Sequence, residues 1–337
     1  MTTDLNYTRI DFVTDQEVRW CPGCGDYTLL KSVQTFLSSL KIERENHVFV
    51  SGIGCAARFP YYVETYGIHG IHGRAPAIAS GVAIANPDLT VWVVTGDGDA
   101  LSIGGNHLIH AIRRNVDINI LLFNNQIYGL TKGQYSPTSE IGKRTKTSPL
   151  GSIDQPFNPV SLALGAGASF VARTVDIDIK HTTEMLEAAY QHQGTSVVEI
   201  YQNCNVFNDK AFASLTGRAE RDLTRMNLEP GKPIIFGPED EYGVILTTEG
   251  AKIVEVASVG IENLYIHDPG RSDPSAAFAL SALAGGPTEP TPMGVFRDVD
   301  QLTYEEAVAD QIDQATERHG EGDLENLLTS SGTWSLD

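Results

Sequence analysis

The sequence predicts an α/β fold built on a doubly wound, mostly parallel sheet, with an acidic C-terminal extension. Residues 89–95 (LTVWVVT) and 117–123 (DINILLF) are continuous apolar runs, as expected for strands that are buried on both faces of a sheet. Between them, a glycine turn is followed by Leu108, Ile109 and Ile112 at helical spacing. A strand–turn–helix–strand unit of this kind is typical of doubly wound sheets.

The other elements of the first two thirds of the chain follow the same alternation. Residues 46–54 (NHVFVSGIG) indicate a strand that runs into a glycine turn. Residues 158–194 indicate a helix, a strand (ASFVART) and a second helix (IKHTTEMLEAAYQH), and 195–202 (TSVVEIYQ) a further strand. In contrast, residues 125–160 contain no long regular run and are rich in Gly, Pro, Ser, Thr and Lys, which is typical of a long functional loop.

The pattern weakens after about residue 210. We therefore predict one domain over residues 1–235 and a partly irregular C-terminal extension over residues 236–337. From Asp298 to Asp337 the chain has eleven acidic residues and one basic residue, Arg318. This segment is expected to hold one amphipathic helix near 303–318 or to be a largely solvated tail.

Composition limits the partners. With 43 acidic and 24 basic residues, the net charge of −19 argues against nucleic acid and anionic membranes as partners. No apolar run approaches the length of a membrane span, and the polar, acidic N-terminus does not have the pattern of a signal peptide. We therefore expect a cytoplasmic protein, in which stable disulfides are rare.

A glycine–aspartate turn follows the strand at 89–95. The GDG sequence at 96–98 opens a helix, where backbone N–H groups can approach a phosphate. A carboxylate at this position would repel a bare phosphate, so a hard cation is expected between them. We predict that Asp97 binds Mg²⁺ and that a diphosphate lies on the other side of the ion.

A pair of asparagines, Asn124 and Asn125, follows the next strand. Carboxyl ends of parallel strands meet at one edge of a sheet, where α/β proteins bind ligands. The side-chain oxygen of Asn125 and a nearby carbonyl, that of Ile127, would complete the protein ligands of Mg²⁺. GDG alone is often an ordinary turn, but GDG, this interval, the two asparagines and flanking strands form the thiamine diphosphate signature. The sequence thus predicts a thiamine diphosphate-binding fold.

The chain has four cysteines, Cys21, Cys24, Cys55 and Cys204. We call them the cysteine group. The first two lie in the N-terminal loop WCPGCG, and the other two follow strands, on the side of the sheet where the cofactor is expected. They could be free buried cysteines, a zinc site or ligands of a [4Fe–4S] cluster. Beside thiamine, a cluster could accept electrons one at a time, whereas zinc has no redox chemistry.

With both motifs present, the chain resembles the β subunits of 2-oxoacid:ferredoxin oxidoreductases over about residues 15–235. The segments that carry the resemblance are WCPGCGDY, SGIGCAARFP, IHGRAPAIASGVAIANPDL, GDGDALSIGGNHLIHAIRRN, NNQIYGLTKGQYSPTS and VEIYQNCNVFND. The resemblance implies a coenzyme A-acylating enzyme that oxidatively decarboxylates a 2-oxoacid and passes electrons through one [4Fe–4S] cluster to ferredoxin. It also implies an α subunit, in an α₂β₂ assembly, which supplies the acidic residue that activates the cofactor.

The resemblance also implies roles for individual residues. The cysteine group would hold the cluster, and Asp97, Asn125 and the Ile127 carbonyl would hold Mg²⁺. The amides of Gly98 and Asp99 would meet the diphosphate. The complete set of residues that we expect to bind thiamine diphosphate is Ile53, Gly54, Cys55, His72, Gly96, Asp97, Gly98, Asp99, Asn125, Ile127, Gly129 and Leu130.

Lys132 follows the Mg²⁺ motif closely and is our candidate for substrate choice. Its ammonium could meet the distal carboxylate of 2-oxoglutarate, which would give succinyl-CoA; it could equally be a solvated loop lysine or bind a coenzyme A phosphate. His72 and Arg74, in IHGRAP, are candidates for anion binding, or they form a structural turn. The alternatives are pyruvate or a broad range of 2-oxoacids, a non-redox thiamine-dependent decarboxylase subunit, and a zinc-stapled subunit without catalysis.

Overall fold

The computed structural model describes residues 5–218, 220–283 and 289–334. Its strands, in chain order, are β1 (His47–Ser51), β2 (Tyr66–His69), β3 (Thr90–Gly96), β4 (Asn119–Asn124), β5 (Phe170–Val175), β6 (Ser196–Tyr201), β7 (Arg225–Leu228), β8 (Ile235–Phe236), β9 (Tyr242–Thr247), β10 (Gly250–Glu255) and β11 (Thr291–Asp298). Its α-helices are α1 (Asp26–Ser39), α2 (Ala75–Ala85), α3 (Asp97–Leu101), α4 (Gly105–Arg114), α5 (Pro159–Gly165), α6 (Ile179–Gln191), α7 (Ala213–Thr216), α8 (Arg221–Thr224), α9 (Val256–Val259), α10 (Ser275–Ser281), α11 (Tyr304–His319) and α12 (Leu324–Thr329).

The main sheet has eight strands in the order β2-β1-β3-β4-β6-β5-β11-β7. Neighbouring strands are parallel throughout, except that β11 is antiparallel to β5. The order changes direction at β1, with β2 on one side of it and β3 and β4 on the other, so that the connections run to both sides of the sheet. The predicted doubly wound, mostly parallel sheet is therefore confirmed.

The central strands are buried on both faces because their alternate side chains enter different cores. On β3, Val91 and Val93 pack into the core that includes helices α2 and α4, whereas Trp92 and Val94 pack with α1 and α6 on the opposite face. Such a strand needs apolar residues at every position, which is the continuous run seen in the sequence. The strands predicted at 46–54, 89–95, 117–123, 168–174 and 195–202 are all present.

The C-terminal part contributes to the same sheet and adds a second one. β8, β9 and β10 form a three-stranded antiparallel sheet, and β11 then returns to the main sheet beside β5. The helix predicted near 303–318 is α11, which begins at a capping box formed by Thr303 and Glu306. The division at residue 235 stays a prediction, and the last three residues of the predicted extension, 335–337, lie outside the described residues.

Within the described ranges, none of the helices is both long enough and apolar enough to cross a bilayer.

Candidate active site

A cavity of about 300 Å³ opens at the carboxyl ends of β1, β3 and β4. It is lined by every residue that the sequence predicted to bind thiamine diphosphate: Ile53, Gly54, Cys55, His72, Gly96, Asp97, Gly98, Asp99, Asn125, Ile127, Gly129 and Leu130. Asp26 and Tyr128, which the sequence reasoning did not select, line it as well. The cavity therefore brings together motifs that are far apart in the chain.

Asp97 is a buried carboxylate at the start of α3, with 2% of its surface exposed. One carboxylate oxygen accepts hydrogen bonds from the hydroxyls of Ser136 and Thr138, the latter at 2.6 Å. Burial raises the pKa of Asp97 to about 6, and hydrogen bonds from these hydroxyls and from backbone N–H groups offset part of that rise. Among the described residues, no basic side chain contributes to this shift of the pKa. A buried carboxylate that is solvated by hydroxyls and lacks a cationic neighbour is suited to a metal ion.

The two asparagines after β4 have different surroundings. Asn124 is buried, and its side chain is used fully within the protein: Nδ2 donates to Glu199 at 2.8 Å, and Oδ1 accepts from Thr138 at 2.9 Å. Asn125 faces the cavity, where its Oδ1 accepts from the Ile127 amide at 3.1 Å. Only Asn125 therefore has an oxygen that lies at the cavity and has a lone pair available for a metal.

Asp99 joins three turns around the cavity. Its Oδ1 accepts from the Gly73 amide at 2.8 Å and from the Ile53 amide at 3.2 Å, while Oδ2 accepts from Thr95 at 3.1 Å. A Cβ atom on Gly52 would come within 2.0 Å of Asp99 Oδ2. The Asp99 side chain therefore fixes the turn after β1 and the IHGRAP turn against residues 96–99. We call residues 96–99 the diphosphate turn.

Gly98 is covered by the ring of Tyr128. A Cβ atom at Gly98 would lie 2.1 Å from Tyr128 Cε1, and the Tyr128 hydroxyl donates to the Gly98 carbonyl at 3.1 Å. Glycine is therefore needed at position 98 for a second reason, besides the close approach of a phosphate. It also allows an aromatic ring to lie over the diphosphate turn.

The cysteine group borders the same cavity. Cys55 lines it. Gly129 lies beside two of the thiols, since a Cβ atom added to Gly129 would lie 3.5 Å from the Cys204 sulfur and 3.7 Å from the Cys55 sulfur. All four thiols are free; Cys204 is buried, Cys24 and Cys55 are half-buried, and Cys21 is exposed. Among the described residues, no three His, Cys, Asp or Glu side chains could hold a metal ion.

Hydrogen bonds hold the N-terminal WCPGCG loop against the strand ends. The indole of Trp20 donates to the Cys55 carbonyl at 2.8 Å. On the other side, the Gly25 amide donates to the Asn203 carbonyl at 3.1 Å, and Asn205 donates to the Pro22 carbonyl at 2.6 Å. The loop is thus fastened to the segments that carry Cys55 and Cys204.

Burial makes the thiolate forms costly in this chain. It raises the pKa of Cys55 to about 12 and the pKa of Cys24 as well, and in both cases the nearby Asp26 carboxylate raises it further. Burial also raises the pKa of Asp26 to about 7. These thiols need a positively charged partner if they are to ionise near neutral pH.

Of the three residues predicted to contact substrate, only His72 lines the cavity. Arg74 caps α2 and donates to the His72 carbonyl at 3.2 Å, so its side chain follows the turn. Leu130 and Thr131 line the cavity, and Lys132, which is exposed and follows them, does not. Lys132 has a φ of 76°, in the left-handed region, within a turn closed by its amide and the Gly129 carbonyl at 3.0 Å.

Comparison with known proteins identifies the fold and the family. A family model described as the C-terminal TPP binding domain of thiamine pyrophosphate enzymes matches residues 52–200. This match confirms the predicted thiamine diphosphate-binding fold, and its range includes the diphosphate turn, Asn125 and Lys132.

One relative matches the whole length of the chain, and another matches about two thirds of it. The 2-oxoglutarate oxidoreductase subunit KorB of Mycobacterium tuberculosis is 54% identical, over 100% of this chain and 90% of that protein. The β subunit of 2-oxoacid:ferredoxin oxidoreductase 2 of Aeropyrum pernix is 44% identical over 68% of this chain and 74% of its own length.

A solved structure shows the same architecture. It is a 2-oxoglutarate:ferredoxin oxidoreductase from Magnetococcus marinus with 2-oxoglutarate, coenzyme A and succinyl-CoA bound, and it aligns with a TM-score of 0.76, 32% identity and coverage of 98% of this chain and 97% of that chain. The thiamine diphosphate fold, the shared motifs and full-length similarity agree. The chain belongs to the family of 2-oxoacid:ferredoxin oxidoreductase β subunits.

Proposed function

We propose that this chain is the β subunit of an enzyme that oxidises 2-oxoglutarate with coenzyme A to succinyl-CoA and CO₂ and passes the electrons to ferredoxin. One observation carries the proposal: Cys55 lines the cofactor cavity and also lies beside Cys204, so the cysteine group and the cavity share a wall. The substrate follows from the Mycobacterium tuberculosis and Magnetococcus marinus relatives, whose names specify 2-oxoglutarate.

The residues around the diphosphate turn fit thiamine diphosphate with Mg²⁺. Asp97 and Asn125 present oxygens to the cavity, and the Ile127 carbonyl is the third expected ligand. The buried Asp97 carboxylate accepts hydrogen bonds from hydroxyls and backbone N–H groups, and no cationic side chain of the described residues contributes to its pKa, which is a setting that a divalent cation would stabilise. The amides of Gly98 and Asp99, at the start of α3 and beside the cavity, would meet the diphosphate.

The cysteine group fits an iron–sulfur cluster better than a zinc ion. The donors are all thiols, they come from three separate segments, and among the described residues no three of them are placed to share a single metal ion. The raised thiol pKa values of Cys24 and Cys55 mean that a cationic iron centre would have to stabilise the thiolates.

When bound, thiamine diphosphate supplies the decarboxylation chemistry and the cluster removes electrons one at a time. The chain's own residues bind and orient. His72 lies at the cavity wall, where it can donate to a carboxylate, and Arg74 holds the His72 backbone. Lys132 directly follows the cavity-lining residues Leu130 and Thr131 in a tight turn, and its ammonium would meet the distal carboxylate of 2-oxoglutarate.

The complete enzyme needs partners. A β subunit implies an α subunit, and we propose an α₂β₂ assembly in which the α subunit supplies the acidic group that activates the cofactor. Electrons would leave towards ferredoxin on the side of Cys21, the exposed member of the cysteine group.

Anaerobic co-purification of this chain with its α subunit tests the proposal. The complex should contain iron and sulfide, and it should reduce ferredoxin or a dye only when both coenzyme A and a 2-oxoacid are present. We expect a higher kcat/KM for 2-oxoglutarate than for pyruvate.

Three outcomes would contradict specific parts. Equal kcat/KM values for the two substrates would overturn the role of Lys132. Coenzyme A-independent decarboxylation without iron would indicate a non-redox thiamine enzyme. Zinc in place of iron would indicate a structural role for the cysteine group.

A further inference from the structure

We propose that Gln202 is a positioning residue that connects Cys24 with Asn125. Its amide nitrogen makes the proposed cluster easier to reduce by donating to Cys24, and its amide oxygen orients Asn125, the proposed metal ligand. Gln202 Nε2 donates to the Cys24 sulfur at 3.2 Å, and Gln202 Oε1 accepts from Asn125 Nδ2 at 2.9 Å. The inference rests on the proposed function, because both partners are assigned roles there.

The sheet holds Gln202 in place. It directly follows β6, and its backbone amide donates to the Asn124 carbonyl at 2.9 Å, which extends the pairing between β6 and β4. Its side chain is buried, with 1% of the residue exposed. A buried glutamine in this position has few rotamers available, so its two ends point in fixed directions.

A third contact decides which end carries the nitrogen. Gln202 Nε2 also donates to the Asn203 carbonyl at 2.7 Å. Because a carbonyl only accepts, it requires the NH₂ end of Gln202 on this side, and rotation of the amide by 180° would place two oxygens together. Both N–H bonds of Gln202 are then used, one for Asn203 and one for the Cys24 sulfur.

The orientation of Asn125 follows from the same contact. The Gln202 oxygen requires an N–H donor, so Asn125 must direct Nδ2 towards Gln202. Its Oδ1 is then left for the cavity side, where a metal ligand is needed. Outer hydrogen bonds of this kind fix ligand orientation, and their removal typically costs 10–100-fold in metal affinity.

The Cys24 sulfur receives a hydrogen bond in a setting that otherwise disfavours negative charge. Burial and the Asp26 carboxylate both oppose a negative Cys24. An N–H donor stabilises the more negative, reduced form of a cluster, and hydrogen bonds to ligand sulfurs are among the factors that set cluster potentials. Gln202 should therefore make the cluster easier to reduce.

The test uses Gln202→Leu in the complex with the α subunit. Redox titration followed by electron paramagnetic resonance should show that the ratio of reduced to oxidised cluster at a fixed potential falls roughly three- to tenfold, and tenfold corresponds to about 59 mV for one electron. The dissociation constant of thiamine diphosphate with Mg²⁺, measured by fluorescence quenching, should rise about 10- to 100-fold.

Two further variants separate the effects. Gln34→Leu is the matched control, since Gln34 is also a buried glutamine, bonded to the Tyr62 carbonyl and away from both motifs; neither quantity should change. In Gln202→Glu, a protonated carboxyl keeps one oxygen opposite Asn125 and donates its single proton to the Asn203 carbonyl, so no donor is left for Cys24. This variant should retain thiamine diphosphate affinity within about threefold while the cluster becomes harder to reduce.

The outcomes are distinct from those of the proposed function. A wild-type complex without a cluster would refute the proposed function itself. A wild-type cluster whose potential is unchanged in both Gln202 variants would refute only the inference. Loss of iron from both Gln202 variants, with Gln34→Leu intact, would also contradict it, because a bond that only tunes a cluster is not required to hold it.

Discussion

We call the proposed metal ligands Asp97 and Asn125 the metal motif. The metal motif and the cysteine group lie at neighbouring strand ends and are held in different ways. Asp97 and Asn125 follow adjacent strands, β3 and β4. Hydrogen bonds from neighbouring side chains hold both of them in place. The cysteine group comes from three separate segments, joined mostly through backbone carbonyls such as those of Cys55 and Asn203.

The difference indicates which site exists before its cofactor binds. The sheet register places the metal motif, and hydroxyls of the long loop already solvate Asp97. In contrast, burial raises the pKa values of the Cys24 and Cys55 thiols, so these two need a cationic partner to ionise. We therefore expect thiamine diphosphate to bind a preformed site, whereas the cluster contributes to the order of its own loops.

The largest expected effect is on the metal motif. Asp97→Asn removes the carboxylate charge while keeping the shape, so Mg²⁺ and thiamine diphosphate should bind at least about 100-fold more weakly, and all turnover should be lost with them. Isothermal titration with thiamine diphosphate and Mg²⁺ measures this. Asp88→Asn, the same change at an exposed carboxylate, is the control; equal binding in both variants would remove Asp97 from the site.

Next in size is an effect on the cysteine group alone. If the cysteine group holds the proposed cluster, Cys204→Ser should abolish electron transfer to ferredoxin and remove most of the iron, since one of the four proposed thiolate ligands is lost. Thiamine diphosphate should still bind within about threefold of the wild type, because its site is held by the sheet. Parallel loss of both cofactors would show that the two regions are not built independently.

A smaller effect concerns Lys132, which follows the cavity-lining residues Leu130 and Thr131. Lys132→Ala should lower kcat/KM for 2-oxoglutarate about 10- to 100-fold and leave that for pyruvate nearly unchanged, because only the larger substrate has a distal carboxylate. Steady-state rates with both substrates measure this. Lys146→Ala, at an exposed lysine of the same long loop, should change neither rate.

The last prediction concerns stability and not activity, and it tests the scaffold that carries both regions. His47 begins β1, its ring nitrogens have no hydrogen-bond partner, and burial lowers its pKa to about 4. Between pH 6.5 and 4 the unfolded state binds the extra proton, so the free energy of unfolding should fall with falling pH, by up to about 1.4 kcal/mol per unit.

The His47→Leu variant lacks this proton. The free energy of unfolding of the wild type minus that of the variant, both from urea titrations, should therefore decrease as pH drops through that window. A difference that stays constant with pH would mean that His47 titrates normally in the folded protein.

Local patterns in the sequence were sufficient for the sheet and for the cavity. Runs such as 89–95 predict buried strands because both faces of a parallel strand are covered, and the turns after them predict the cavity because parallel strands end at one edge. β11 was missed, since its pairing with β5 joins residues that are more than a hundred positions apart.

The missed site residues act through other side chains. Gln202 stands beside Cys204 in YQNC, and Thr138 lies in YSPTS, but nothing in either segment shows what the side chain contacts. Asp26 follows the CPGCG loop directly, and its burial depends on how that loop packs. Such roles follow from three-dimensional contacts and have no spacing rule.

The most direct test is whether 2-oxoglutarate reduces iron held by the cysteine group of this chain. In the anaerobic complex with the α subunit, addition of 2-oxoglutarate and coenzyme A to oxidised enzyme should produce the electron paramagnetic resonance signal of a reduced [4Fe–4S] cluster. Cys204→Ser should lack both the signal and the iron. A signal of full intensity in that variant, or zinc bound to the wild-type cysteines, would contradict the proposal.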